Sequence, residues 1–400
     1  MKILLVCQSY YPEQFKITDI AEELAKQGND VTVYTGLPNY PEGKIYDGYR
    51  NRENRYQYIN GVKIKRSWLI ERGHTKIQLF LNYLSFMISS SITSFKDKEE
   101  YDVVMSYQLS PISMVVPAII AAKKRNIKHI LYCLDLWPAS LYAGGLSNNS
   151  LLYKIIGKFS KKIYQSADKI CVTSPSFIDY LDDVHNINSS NITVLYNYAE
   201  DIFKPIEGNS SDNITDIMFA GNIGKMQSVK TIIEAANILK ENENILFHIV
   251  GDGSEYNKIN QLIDKYKLDN VRVYGRKSLE EMPKFYSMAD AMIISLARHE
   301  IISYTIPNKL QSYLAMGKPI IGSIDGQVNK IIKENNIGFT SDSENAEKLA
   351  ENILRFSKFD REQISELEQN SLRFYHENFS KDKFYYQLNR LLEEATNVQK

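Results

Sequence analysis

The chain has 400 residues, which at roughly 100–200 residues per domain predicts two domains. Apolar residues make up 44% and charged residues 24%, so the composition excludes a disordered, collagen-like or coiled-coil chain. The 48 basic and 48 acidic side chains balance, which gives no sign of a nucleic-acid partner. Charge is nevertheless uneven, because residues 60–170 carry 16 basic and only 7 acidic side chains.

The first half of the chain alternates short apolar runs with amphipathic stretches. The runs predict strands at Ile3–Cys7, Val31–Thr35, Val62–Ile64, Val103–Ser106, Ile127–Leu134, Ile170–Thr173 and Ile192–Leu195. The amphipathic stretches predict helices at Thr18–Gln27, Ile112–Arg125 and Leu151–Gln165. This alternation predicts a parallel sheet covered on both faces.

Several segments bear on the compartment of the protein. The apolar run after Met1 is cut short by Gln8, so no signal peptide is expected. The charge-free stretch Ile77–Phe95 is rich in serine, and it fits a buried helix or one that dips into a membrane surface. The three cysteines are far apart in apolar runs, which predicts free thiols in a reducing cytosol.

The alternation restarts after a polar stretch at 201–213, which we interpret as an interdomain linker. The predicted strands are Ile217–Ala220, Ile245–Val250, Val271–Tyr274, Met292–Ser295 and Pro319–Gly322, and the predicted helices are Ser228–Leu239, Asn308–Met316 and Lys383–Thr396. The fold class expected is therefore α/β, with two Rossmann-like domains facing across a cleft. Ligands in such sheets bind at the carboxyl ends of the strands.

Two glycine-containing motifs lie at those strand ends. Phe219–Lys225 follows a strand and precedes a helix, an arrangement that suits an anion but also an ordinary tight turn. In Thr305–Pro319, Pro307 suits the first turn of a helix and Gly317 its end. Lys309 falls in the first helical turn, where the helix dipole disfavours a cation unless an anion is present; the alternative is an exposed lysine.

Two further candidates lie in the first half. Asp135 directly follows a strand, where a carboxylate can orient or deprotonate a hydroxyl, or simply cap the next segment. Glu13 and Lys16 lie in the loop after the first strand, as an acceptor-side pair or as a solvated loop pair.

Together these motifs resemble the retaining glycosyltransferases of GT-B fold called group 1, or family four. The segments GLPNYPEGKIYDGY at 36–49, DLWPASL at 135–141, FAGNIGKMQS at 219–228, VGDGSE at 250–255 and PNKLQSYLAMGKPIIGS at 307–323 carry the resemblance in order. They most resemble the subgroup that includes L-fucosamine transferases of O-antigen and capsule assembly.

The resemblance implies an acceptor domain at 1–200, the linker at 201–213, a nucleotide-sugar domain at 214–380, and a final helix at 381–400 that packs back toward the first domain. It implies Asp135, Lys309 and Glu300 as catalytic residues and Glu13 and Lys16 on the acceptor side, with no metal or cofactor. The implied donor site comprises Gly221, Asn222, Lys225, Gln227, Gly251, Tyr274, Gly275, Arg276, Leu279, Pro307, Asn308, Lys309, Leu310 and Gln311.

The chain also departs from its relatives. Asn222 and Gln227 stand where many relatives have an arginine and a lysine, and Tyr304 and Ser312 stand where many have two glutamates. Glu300 and Gln311 are the nearest residues to take over from those glutamates.

The function expected is transfer of a sugar, with retention of configuration, from a UDP-linked donor to a polyprenyl-diphosphate-linked saccharide. The enzyme would be cytoplasmic and peripheral, on an anionic membrane surface, with no nucleic-acid partner. The alternatives are a nucleotide-sugar 2-epimerase of the same fold and a catalytically silent partner of another transferase.

Overall fold

A computed structural model describes residues 1–50, 53–206 and 213–397. It divides into two compact units, which we call the N-terminal and C-terminal units. The N-terminal unit comprises Met1–Thr173, Phe177–Leu195 and Leu388–Lys400, and the C-terminal unit comprises Ser174–Ser176 and Tyr196–Gln387. The main division thus falls after residue 195, where the sequence suggests 200. Residues 207–212 of the predicted linker and 398–400 of the predicted final helix lie outside the described residues.

The N-terminal unit is built on an eight-stranded sheet in the order β3-β4-β2-β1-β5-β6-β7-β8. Only the hairpin of β3 and β4 is antiparallel; the other neighbours run parallel. The strands are β1 Lys2–Val6, β2 Asp30–Thr35, β3 Tyr56–Ile59, β4 Val62–Arg66, β5 Val103–Gln108, β6 Lys128–Cys133, β7 Lys169–Val172 and β8 Ile192–Val194. The central strands are buried along almost their whole length, as expected for a sheet with both faces covered.

The helices of this part of the chain are α1 Lys16–Lys26, α2 Lys76–Lys96, α3 Val116–Arg125, α4 Ala139–Ala143, α5 Leu151–Tyr164 and α6 Ser176–His185. The predicted helix Ile112–Arg125 begins as a 3-10 turn, Ile112–Val115. Cys7, Cys133 and Cys171 are buried, free thiols.

Helix α2 is capped at both ends by side chains. Thr75 and Gln78 form a capping box at its start. At its end the Lys124 ammonium donates to the carbonyls of Phe95 and Asp97, both at 2.6 Å, and Arg125 donates to Asp97. Burial raises the pKa of Asp97, but hydrogen bonds from Tyr34, Lys65 and Tyr101 outweigh it and hold the pKa at about 2. Much of the basic excess near residues 63–66 and 123–128 is therefore used inside the fold.

The C-terminal unit has a six-stranded parallel sheet in the order β11-β10-β9-β12-β13-β14. Its strands are β9 Thr215–Ala220, β10 Ile245–Val250, β11 Val271–Gly275, β12 Ala291–Ser295, β13 Ile320–Ser323 and β14 Gly338–Ser341. Its helices are α7 Val229–Ile238, α8 Tyr256–Tyr266, α9 Met282–Met288, α10 Glu300–Ser303, α11 Asn308–Ala315, α12 Gln327–Glu334, α13 Ala346–Phe356 and α14 Arg361–Phe374.

The last helix, α15 Lys381–Asn397, begins in the C-terminal unit and ends in the N-terminal unit. In the N-terminal unit Asn389 donates to Gln27 at 2.9 Å. No helix among the described residues combines the length and apolarity needed to cross a bilayer.

Each sheet has one point at which the strand order reverses. In the N-terminal unit it lies between β1 and β5, and in the C-terminal unit between β9 and β12. The connections on the two sides of such a point leave in opposite directions, and the gap between them is where open α/β sheets bind ligands. Both fold predictions, the two Rossmann-like domains and the α/β class, are confirmed.

Candidate functional site

The glycine turns after β9 and β10 pack backbone against backbone. The Gly221 amide donates to the Val250 carbonyl and the Ile223 amide to the Asp252 carbonyl. Gly251 has φ of +144°, and a Cβ placed there would lie 1.9 Å from the Gly221 carbonyl oxygen. Glycine is therefore required at 251 both by its backbone conformation and by this close approach.

The Lys309 ammonium lies against the first of these turns. A Cβ on Gly221, whose φ is also +144°, would sit 3.0 Å from the Lys309 Nζ. On another side the ammonium lies 4.2 Å from the centre of the Phe219 ring. The structure therefore places the Lys309 ammonium beside the Gly221 turn, as predicted.

Lys309 is a buried charge without a partner. Its Nζ is inaccessible to solvent and forms no hydrogen bond within the described part of the chain. Burial lowers the pKa of Lys309 to about 7. The residue also lies in the first turn of α11, where the helix dipole opposes a positive charge. Both penalties would be relieved by an anion placed against the Gly221 turn.

Tyr313 fixes α11 to the end of β9. Its hydroxyl accepts from the Ala220 amide at 3.1 Å and donates to the Ala220 carbonyl at 2.9 Å. β9 pairs with β12 only as far as Met218, so this hydroxyl occupies the place where the two strands separate. Sequence reasoning missed Tyr313 and Phe219 as site residues, although both lie inside motifs that it singled out.

The other predicted residues at the start of α11 have contacts within the fold, and their contact with a donor stays a prediction. Pro307 precedes the helix in an extended conformation, and the Asn308 amide oxygen accepts from Asn197. Leu310 is fully buried in the core. When the Gln311 amide is oriented so that its nitrogen donates, that nitrogen lies 2.9 Å from the carbonyl oxygens of both Pro307 and Asn308.

The positions of the two family glutamates hold other chemistry. Tyr304 donates its hydroxyl to the Glu300 carboxylate at 2.9 Å. Glu300 is exposed at the start of α10. Ser312 is buried and donates to the Lys309 carbonyl at 3.1 Å. Glu300 therefore lies beside the place of the first glutamate, whereas the second place holds no carboxylate.

Three predicted donor residues lie on the exposed turn after Gly221. Asn222 donates its side-chain amide to Gln227 at 3.3 Å, so the two residues that replace the family's basic pair bond to each other. Lys225 is exposed in the 3-10 turn Lys225–Gln227 and has no ion pair within the described residues. Its charge is available to a ligand, but without the burial that distinguishes Lys309.

The end of β11 contributes less than predicted through its side chains. The Tyr274 hydroxyl bonds to His248 at 2.8 Å, and His248 bonds in turn to Asp216 at 2.6 Å. The Gly275 carbonyl accepts from the Gly251 amide. Arg276 and Leu279 are exposed just beyond this strand.

In the N-terminal unit Asp135 follows β6, as predicted. Its carboxylate accepts hydrogen bonds from the hydroxyls of Ser110 and Ser140 and, at 3.3 Å, from the Trp137 indole nitrogen. Three donors hold the carboxylate in one orientation. A carboxylate fixed in this way is better suited to bind a hydroxyl than to act as a mobile proton acceptor.

Glu13 has a structural task that the sequence did not indicate. Its carboxylate is buried and accepts from the backbone amides of Asn39 and Tyr40, both at 2.7 Å. Burial raises the pKa of Glu13, whereas the hydrogen bonds from Asn39 and Tyr40 lower it by a smaller amount. It therefore is not a solvated loop residue, and contact of Glu13 or of the partly buried Lys16 with an acceptor stays a prediction.

Residues 1–50, 53–206 and 213–397 hold no group of three or more His, Cys, Asp or Glu side chains arranged to bind a metal ion.

Comparison with known proteins agrees with this geometry. Residues 17–199 match the model of Glycosyltransferase Family 4, and residues 201–373 match that of Glycosyl transferases group 1. A protein named as a probable glycosyltransferase, WbjE from Pseudomonas aeruginosa, is 25% identical over 82% of either chain. WcaI from Escherichia coli K12, whose name assigns it provisionally to colanic acid biosynthesis, is 22% identical over 79% of this chain and 82% of its own.

A solved structure extends the likeness to the whole fold. HepE from Anabaena, crystallised with UDP, superposes with a TM-score of 0.71 at 14% identity and covers 98% of this chain and all of its own. At that identity the likeness concerns the fold alone. The two family models and the two Rossmann-like units together show that the chain belongs to the group 1, family four glycosyltransferases of GT-B fold.

Proposed function

We propose that this enzyme transfers a sugar from a UDP-linked donor to a saccharide carried on a polyprenyl diphosphate, during assembly of a surface polysaccharide. The single observation that carries the proposal is the buried Lys309 ammonium against the Gly221 turn, which forms no hydrogen bond within the described residues. A diphosphate is the compact anion that such a pocket fits. UDP in the HepE structures and the provisional assignment of WcaI to colanic acid synthesis support the choice of donor and pathway class.

The chemical step would generate charge where Lys309 lies. The bond between the anomeric carbon and the diphosphate oxygen breaks, and a bond from that carbon to the acceptor oxygen forms. The acceptor proton passes to the departing diphosphate, so no covalent enzyme intermediate is needed. Attack on the face that the diphosphate leaves retains the anomeric configuration. Lys309, the α11 N-terminus and Lys225 would stabilise the negative charge as it develops.

Each unit offers one carboxylate that would bind sugar hydroxyls. Asp135 offers an oriented acceptor for sugar hydroxyls because three donors fix it. Glu300, held by Tyr304, would take over from the first family glutamate. The hydrogen bond holds the Glu300 carboxylate beside Tyr304, the position of the first family glutamate. A carboxylate at this place favours an active transferase over a catalytically silent partner.

We propose that the membrane surface is met by α2 and α5. One face of α2 exposes large apolar side chains along about 30 Å, namely Ile77, Phe80, Leu81, Ile88, Ile92 and Phe95. Helix α5 exposes Leu151, Leu152, Ile155 and Phe159 beside Lys154, Lys158, Lys161 and Lys162. Both helices pack against the turn Ile112–Val115.

The charge on these helices fits anionic lipid. Together they contain six lysines and not one acidic residue. The four lysines of α5 have no ion pair within the described residues, in contrast to Arg125, which pairs with Asp97. An apolar face flanked by free lysines is typical of a helix that lies in a bilayer interface.

Calorimetric titration with UDP tests the donor half of the proposal. We expect binding by the wild-type protein and about 100-fold weaker binding by Lys309→Met. Equal affinity of the two proteins would show that Lys309 does not meet the diphosphate. Full transfer activity in excess EDTA is expected, because protein cations supply the charge.

Two further assays separate the alternatives. Incubation with the donor alone should give no altered sugar, whereas a 2-epimerase would react without an acceptor. Flotation with vesicles of phosphatidylglycerol and phosphatidylcholine should exceed flotation with phosphatidylcholine alone and fall with salt. Equal flotation with both vesicles would contradict the electrostatic part of the membrane proposal.

A further inference from the structure

The switch point of the N-terminal unit is lined by buried amides. Gln8 follows β1 and Gln108 ends β5, the two strands between which the order reverses. The side-chain oxygen of each is buried and accepts no hydrogen bond within the described residues. Two unpaired carbonyl oxygens at a ligand-binding position require donors, and sugar hydroxyls would supply them.

A chain of hydrogen bonds runs from this point to Arg72. Gln8 donates to the Asn82 amide oxygen at 2.7 Å, and Asn82 donates to the Asn39 amide oxygen at 3.1 Å. That same Asn39 oxygen accepts from the Arg72 backbone amide at 3.2 Å. Asn39 and Asn82 are buried, so the backbone of Arg72 is positioned by the core of the unit.

The Arg72 guanidinium is held between two aromatic rings. Its central carbon lies 5.4 Å from the centre of the Tyr40 ring and 5.8 Å from that of the Tyr83 ring. One of its nitrogens donates weakly to the Tyr83 hydroxyl at 3.4 Å. Burial raises the pKa of Tyr83, and the nearby Arg72 guanidinium lowers it.

Within the described residues, Arg72 lacks the carboxylate partner that Arg125 and Arg50 have. No ion pair involves Arg72 among the described residues, and its side chain is only partly buried. Arg125, by comparison, is paired with Asp97, and the neighbouring Arg50 with Glu71 at 3.6 Å. A guanidinium that lies over two aromatic rings, with only one hydrogen bond from its side chain among the described residues, is arranged to bind a phosphate or carboxylate.

The position of Tyr83 on α2 indicates which anion. Phe80 lies three residues before Tyr83 and therefore beside it on the helix surface, and Phe80 belongs to the exposed apolar stripe. Arg72 thus borders a face suited to a lipid surface. A ligand whose anion lies at Arg72 would carry an apolar tail on one side and sugar hydroxyls on the other. The diphosphate of a lipid-linked saccharide has this arrangement.

We propose that Arg72, stacked between Tyr40 and Tyr83, binds the diphosphate of the acceptor, and that Gln8, Gln108 and Asp135 bind the hydroxyls of its saccharide. This inference rests on the proposed function, since it names the group by which the acceptor is recognised. It assigns acceptor binding to Arg72 instead of to Glu13, which is occupied by Asn39 and Tyr40.

Calorimetric titration with farnesyl diphosphate tests the site, with saturating UDP present so that the Lys309 pocket is filled. The wild-type protein should bind farnesyl diphosphate more tightly than farnesyl phosphate, and farnesol should not bind. Arg72→Gln should weaken binding of farnesyl diphosphate about 10- to 100-fold. Arg72→Lys should recover part of the loss, because it restores the charge but not the planar fork of donors.

Arg50→Gln is the matched control, because it makes the same charge change on a nearby exposed arginine that has a partner. It should bind farnesyl diphosphate like the wild type. Unchanged thermal unfolding and UDP affinity of Arg72→Gln would show that the variant is folded. Wild-type affinity of Arg72→Gln for farnesyl diphosphate would overturn the inference, as would binding of a methyl glucuronoside in place of farnesyl diphosphate.

The outcomes also separate this inference from the proposed function. If the wild-type protein bound no UDP, the donor proposal would fail. Arg72-dependent binding of farnesyl diphosphate, titrated without UDP, would in that case still support the anion site of the N-terminal unit.

Discussion

At the switch point of the C-terminal unit, between β9 and β12, the chain buries the Lys309 ammonium, which has no hydrogen bond or ion pair among the described residues. At the switch point of the N-terminal unit, between β1 and β5, it buries glutamine side chains with unpaired oxygens, and its arginine stays partly exposed. One position is therefore prepared for a compact anion and the other for the hydroxyls of a saccharide. The two sheets thus present a buried cation in one unit and buried uncharged amides in the other, which suits a donor that must lose a charged group and an acceptor that must be recognised.

The largest effect should distinguish the two positions directly. Lys309→Met should lower the rate of sugar transfer about 100- to 1000-fold, because the charge of the leaving diphosphate loses its buried cation. Asp135→Asn should also slow transfer but leave the affinity for UDP unchanged. The check is a transfer assay combined with UDP titration of each variant. A loss of UDP affinity in Asp135→Asn would end the assignment of donor and acceptor chemistry to separate units.

The second prediction concerns the backbone contact on which the lysine pocket rests. Gly251→Ala should lower the free energy of unfolding by about 3 kcal/mol or more, because its Cβ would meet the Gly221 carbonyl at 1.9 Å. Gly28→Ala is the control: φ is +89° there too, but nothing lies within 4 Å of the added atom, so about 1 kcal/mol is expected. Urea unfolding measures the loss of unfolding free energy in both variants. Equal losses would show that the turn at Gly251 relaxes to accommodate the added Cβ.

The third prediction follows from the pKa of Lys309, which is about 7 in the unliganded protein. A bound diphosphate stabilises the ammonium and raises this pKa, so above pH 7 binding must take up a proton. The affinity for UDP should therefore fall as pH rises from 7 to 9, by up to about tenfold per pH unit. Calorimetry in buffers of different ionisation enthalpy counts the proton, and Lys309→Met should show no such uptake. An unchanged affinity at pH 9 would contradict the coupling.

The smallest effect lies on the surface of the N-terminal unit. Lys158→Gln should weaken partition onto vesicles containing phosphatidylglycerol about fivefold, from about 1 kcal/mol per lysine near such a surface. Lys265→Gln, an exposed lysine of α8 in the C-terminal unit, is the matched charge control and should have no effect. Vesicle sedimentation at low salt measures both, and equal losses would argue for a general charge effect instead of the α5 face.

Periodicity predicted the elements around Lys309 well. The carboxyl ends of β9 and β10 follow from their apolar runs, and Pro307 and Gly317 delimit α11 within one residue. Because parallel strands end at one edge, Gly221 and Lys309 were expected together. The sequence did not reveal how deeply Lys309 is buried, because that depends on the Phe219 ring and on the Tyr313 hydroxyl.

The polar contacts of the N-terminal unit were harder to predict. Gln8 and Asn82 are 74 positions apart, and no local pattern indicates that their amides bond. Arg72 lies in a segment without helix or strand, so it had no periodicity to place it. Strand β3 was missed because Tyr56 and Tyr58 are exposed on an edge hairpin and form no apolar run.

The Tyr313 hydroxyl has a practical consequence for following the enzyme in solution. The Ala220 amide donates to this hydroxyl, so its hydrogen should exchange with solvent deuterium when α11 moves away from β9. The exchange rate of that single amide therefore reports how often the floor beneath the Lys309 ammonium opens. A ligand that seals the pocket should slow the exchange, and the effect needs neither an acceptor nor turnover to be seen.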